Sequence, residues 1–250
     1  MSNRFNWRFL LGEFVVIVLG VLIALWVDQL REARLNADLE VEYLESLVAD
    51  LDADLAQFDE AEAWMRRSED AAATVLALYE GAPPSGSPAE LVAAIETAGW
   101  QMAPSITRNT IDDLRSTGNL RLIRDPALRR AIADYYTTVE NALGPLAAMQ
   151  ARIWDQYDAR VGHVLRPGER LGVLQRPGSF APGITSDAFD AAEPPDQEEL
   201  IRTLQGFPEL EVGAGEVLYQ NVANRGTVDE MRTAAIELRG VLEQWLAVHR

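Results

Sequence analysis

The run Phe9–Val27, FLLGEFVVIVLGVLIALWV, constrains this chain more than any other feature, because fourteen of its 19 residues are Phe, Leu, Ile or Val. A helix of that length matches the hydrocarbon thickness of a bilayer. At roughly −0.4 kcal/mol per large apolar residue, insertion gains about 6 kcal/mol, against a cost of about 3 kcal/mol for a central carboxylate and less toward an end. The one acid in the run is Glu13. The balance predicts a transmembrane helix over 9–27, with Trp7 and Trp26 in the two headgroup layers.

A secretory signal peptide would also place Arg4 and Arg8 before an apolar run, but small residues at a cleavage site would follow it. Here Asp28-Gln29-Leu30-Arg31 follows, so the segment is expected to stay as an anchor. Arg4 and Arg8 on one side nearly balance Arg31 and Arg34 on the other, and the free amino terminus favours a cytoplasmic tail of residues 1–8. The expected topology is single-pass in a bacterial inner membrane, with the remainder of the chain in the periplasm.

From Asp28 to Glu80 there is no Gly or Pro, and Leu39, Tyr43, Leu47, Leu51, Leu55 and Phe58 recur at spacings of three and four. That pattern predicts a long amphipathic helix continuing from the span, a stalk of up to about 80 Å at 1.5 Å per residue. It suits either a coiled coil with a second copy or a stalk on which later helices fold back. The second is favoured, because a/d repetition fails beyond Phe58.

Gly81–Pro88 is a turn-forming linker ending in a capping box, with Ser87 as N-cap and Glu90 three residues on, and it opens a helix to about Trp100. A helix over 107–117 should stop at Gly118, and Asp125-Pro126 should open a longer one that Pro145 kinks or splits. Residues 167–195 hold five prolines and four glycines and read as an irregular loop. Helices are expected at 196–205 and 216–224, and a last one should open at a second capping box, Thr227 to Glu230. Its apolar positions are Met231, Ile236, Leu238, Leu242, Trp245 and Leu246. The expected fold is therefore all-α, a transmembrane helix continuing into a stalk over 28–80, with an antiparallel helical bundle over 81–250 packed on it.

Two blocks resemble a known family. They are Gly12–Leu25 with the following Glu42-Tyr43-Leu44, and Asn109–Ile123 with Leu128-Arg129 and Tyr135-Tyr136. Both are similar to signatures of domain-of-unknown-function family 6090, bacterial single-span proteins. The resemblance covers most of residues 9–140 and implies an anchored helical domain, with no known activity.

Composition narrows the chemistry. The formal net charge is −17, and Asp28–Glu80 holds fifteen Asp or Glu against four Arg, a surface that repels phosphate backbones, so nucleic acid is not an expected partner. Cysteine is absent, which excludes disulfides and thiolate chemistry, and all 22 basic residues are Arg, which excludes P-loop and Schiff-base lysines. His163 and His249 stand alone and read as surface residues. Asp50, Asp52 and Asp54 imitate the opening of a calcium loop, but Leu55 replaces its glycine and Ala61 its final glutamate, so they read as helix surface. No cofactor or metal is expected.

Two groups of residues stand out as candidate contacts. Glu13, Gly20 and Ala24 fall within about 40° on the span and would form a membrane contact face. Arg121, Arg124, Arg129 and Arg130 form the one basic cluster, available to an anionic partner or to balance of the acidic stalk. The expectation is a non-enzymatic, membrane-anchored interaction or scaffold protein, partnered by the lipid bilayer and by another membrane or envelope protein or a second copy. The alternatives are a ligand-sensing module using the 167–195 loop as a lid, and a hydrolase using paired carboxylates.

Overall fold

The computed structural model describes residues 7–177, 179, 181–188 and 190–249; the side chains of residues 7–12 and 15 lie outside that set. Among the described residues there are seven α-helices, one short 3-10 turn and no strand. They are α1 (Trp7–Tyr79), α2 (Pro88–Thr97), α3 (Asn109–Ser116), the 3-10 turn Asn119–Leu122, α4 (Pro126–Val161), α5 (Pro167–Leu174), α6 (Gln197–Gln205) and α7 (Pro208–His249). No helix among the described residues is long and apolar enough to cross a membrane. The expected span Phe9–Val27 begins in residues whose side chains lie outside the described set.

Local signals account for most boundaries. The Ser87–Glu90 capping box is formed in both directions, and Gly118, at φ +73°, takes the left-handed conformation between α3 and the 3-10 turn. Asp125 accepts the Ala127 amide at 2.8 Å to start α4, and Asp196 accepts the amides of Glu198 and Glu199 to start α6.

Three expectations are corrected. Pro145 does not split the helix that holds it, since α4 runs from Pro126 to Val161. The loop expected from residue 167 opens instead with α5, where Pro167 occupies the first turn and Glu169 accepts the Arg166 amide at 2.8 Å. The two C-terminal helices are one, α7, with no break at Thr227. Its buried positions run Leu210, Ala214, Val217, Asn221, Asn224, Val228, Met231, Ala235, Leu238 and Leu242, a seven-residue repeat that two asparagines hide from an apolar search. Ile236, expected on that stripe, is 54% exposed.

The stalk shows the same effect. Its buried seam is Glu40, Leu44, Leu47, Leu51, Asp54, Phe58, Ala61, Met65, Ser68, Ala72 and Val75, while Leu39 is 40% exposed. The repeat does not fail beyond Phe58. It continues through small and polar residues.

The backbone divides into two compact units. The first comprises Met1–Asp50, Arg108–Arg130 and Gly240–Arg250, with Leu44, Leu47, Ile111, Leu114, Ile123, Leu128 and Leu242 buried. The second comprises Leu51–Thr107 and Ala131–Arg239, and its core joins Ala72 and Val75 of α1 to Ile95, Tyr157, Val173, Leu204 and Val217 of five other helices. Within the second unit α7 runs antiparallel to α1: Arg239 pairs with Asp52, Arg232 with Asp59 and Glu62, and Arg225 with Glu69.

Candidate functional site

Gly20 has no atom within 4 Å of a Cβ placed on it, and Glu13 and Ala24 are exposed, so no packing of the expected contact face is seen among the described residues. All three lie on α1. The four arginines of the expected cluster all lie in the first unit, Arg121 on the 3-10 turn, Arg124 between that turn and α4, and Arg129 and Arg130 at the start of α4.

The four arginines do different work. Arg124 donates from its side chain to the Ala33 carbonyl at 3.1 Å, and its backbone amide donates to Glu40 Oε1 at 2.7 Å. Arg129 donates to the carbonyls of Ile123 and Arg124, closing the turn before α4. Arg121 and Arg130 are exposed and make no ion pair or side-chain hydrogen bond among the described residues. Among the described residues, the suggestion that this cluster balances the acidic stalk is met by Arg124 and Glu40, 3.9 Å apart. In the second unit that balance comes from Arg225, Arg232 and Arg239 on α7. Sequence reasoning missed them, although their seven-residue spacing was the available signal.

Sequence reasoning also missed the polar side chains of the seam. Asp54, expected on the surface, is fully buried; the Tyr135 hydroxyl donates to it at 2.6 Å and the Thr107 amide at 2.6 Å. Ser68 donates to the Ala98 carbonyl and accepts from Asn221 Nδ2 at 3.0 Å. These side chains fasten the irregular segment 98–108, whose backbone groups have no ladder partners, to α1. In the first unit Asp50 likewise accepts the Thr110 amide at 3.1 Å.

In the second unit a cleft of about 280 Å³ lies between α4 and α7, lined by Arg152, Gln156, Tyr157, Arg160, Glu216 and Gln220 among others. Arg160 crosses it to Glu216 at 2.8 Å. Tyr157 is buried behind the cleft, and its hydroxyl has no hydrogen-bond partner among the described residues. Burial, reinforced by the charge of Glu96, pushes its phenol above the ordinary range. Nearby, Arg170 donates to both Glu96 oxygens at 2.7 and 3.1 Å and also to Asp158. Burial opposes its charge, but the bonds to Glu96 and then Asp158 prevail and hold the guanidinium above its usual value.

These groups can recognise and brace. His163 and His249 are exposed and stack on Phe207 and Trp245. Among the described residues no group of three or more Asp, Glu or His is arranged to hold a metal. Compared with known proteins, the chain matches no family model, no curated protein and no solved structure.

Proposed function

We propose that this is a membrane-anchored, non-enzymatic interaction or scaffold protein of the bacterial inner membrane, with its helical domain on the periplasmic side. One observation carries the reading. Between Phe14 and Val27 eleven large apolar side chains of α1 are 39–69% exposed, on a helix that runs unbroken to Tyr79. Leaving that many large apolar side chains in water forgoes on the order of 20 kcal/mol of transfer free energy, which a bilayer supplies. The resemblance to family 6090 carries the same expectation.

The test uses the absence of cysteine, which makes any introduced cysteine a unique probe. Membranes expressing the full chain are washed at alkaline pH, and single cysteines at Asn36 and Ala247 are labelled from the periplasm with an impermeant maleimide. Retention in the pellet with labelling at both sites is expected. Release by the wash rejects the anchor, and labelling only after lysis reverses the orientation.

A further inference from the structure

We propose that Arg121, Arg124, Arg129 and Arg130 form a membrane-facing collar that engages the anionic phospholipid headgroups of the bilayer holding α1; this rests on the anchor proposed above. The geometry lies within the first unit. Contacts with α1 descend toward the apolar run as the chain proceeds: Thr110 meets Asp50, Asp113 meets Tyr43, and Arg124 meets Glu40 and then Ala33. The chain then turns at Asp125 and leaves as α4. The turn carrying the arginines is thus the part of this segment nearest the span.

Distance along α1 sets what the collar can reach. Ala33 is six residues beyond Val27, about 9 Å at 1.5 Å per residue. The headgroup layer adds roughly 5–8 Å to each side of the hydrocarbon, and charge interactions persist over about 8 Å at physiological salt. A guanidinium that bonds the Ala33 carbonyl is therefore within range of lipid phosphates.

Charge follows the same axis. Residues 119–130 carry four Arg and one Asp, whereas residues 38–50 of α1, in the same unit, carry five Asp or Glu and no Arg. An anionic surface attracts the first segment and repels the second. The arginines also divide by duty. Arg124 and Arg129 are tied to backbone carbonyls and set the turn, while Arg121 and Arg130 are exposed and unpaired among the described residues, leaving their guanidinium forks for phosphate oxygens.

The experiment reads the arginines directly. Full-length protein is reconstituted into nanodiscs of phosphatidylcholine alone or with one-third phosphatidylglycerol, and modification of each arginine by phenylglyoxal is timed by peptide mass spectrometry. Arg121 and Arg130 should react at least about threefold more slowly in the anionic discs, with protection lost in 0.5 M salt, whereas Arg202 on α6 should react equally in both. In Arg121→Gln and Arg130→Gln single variants the remaining arginine should keep part of the protection. Equal rates in the two lipids overturn the collar. So does equal protection by 10 mM inorganic phosphate in phosphatidylcholine discs, which would mark a general anion site. Flotation of reconstituted vesicles beforehand separates the two readings: a chain that fails to float rejects the anchor and the collar with it, and one that floats without protection rejects the collar alone.

Discussion

At the residue scale, the side chains that matter most are acids an apolar search discards. Asp54 accepts from the Thr107 amide and the Tyr135 hydroxyl in a fully buried site, so removing it takes a hydrogen-bond acceptor from each. Asp54→Ala should cost about 3 kcal/mol and Tyr135→Phe about 1 kcal/mol, with the double variant well short of the sum. Urea denaturation followed by circular dichroism measures all three, and strict additivity would show that the pair is not coupled. Glu62 supplies a pH-dependent case. Its hydrogen bond to Arg66, with a further one to Arg232, holds its carboxyl below the usual 4.5 against opposing desolvation. A depressed folded pKa stabilises above the unfolded value and is lost as pH falls through the folded one. Glu62→Gln should therefore lower the denaturation midpoint at pH 7, and the gap should narrow as pH falls below the usual 4.5; a gap that ignores pH would contradict the pairing.

At the scale of the element, glycines illustrate how context decides a helix. Gly226 lies inside α7 with open space where a Cβ would stand, so its flexibility only burdens the helix. Gly226→Ala should stabilise by about 0.5–1 kcal/mol. At Gly99, just beyond α2, a Cβ would overlap the buried Tyr157 ring, and Gly99→Ala should destabilise by about 1–3 kcal/mol. Thermal melts of both variants should shift in opposite directions. The expected break near Thr227 fails for the same reason: α7 has a continuous buried seam, and packing along it outweighs the local cost of Gly213, Gly215 and Gly226.

For the whole molecule, the apolar segment and the packed helices separate along the sequence. The buried seam of α1 begins at Glu40, thirteen residues beyond Val27, where the continuous apolar run ends. Removing residues 1–27 should therefore leave a chain that is soluble without detergent and keeps a helix-dominated circular-dichroism spectrum. Aggregation with loss of helical signal would mean that the N-terminal segment is needed by the fold itself.

Local chemistry made much of this legible from the sequence. The Ser87 capping box, the Gly118 stop, the Pro126 start and the helical character of α1 each depend on residues within a turn or two of one another. The grouping of Arg121, Arg124, Arg129 and Arg130 was equally visible, because it spans only ten residues. What tertiary structure alone decided is which face of each long helix is buried and who pairs with whom. Asp54 and Ser68 belong to the interior because Thr107, Tyr135, Ala98 and Asn221 meet them there, from 30 to 153 residues away. The acids of α1 find Arg225, Arg232 and Arg239 only when α7 returns antiparallel to it. A polar residue in a seam carries no local mark of its partner: its burial is favourable only when a distant group completes the hydrogen bond.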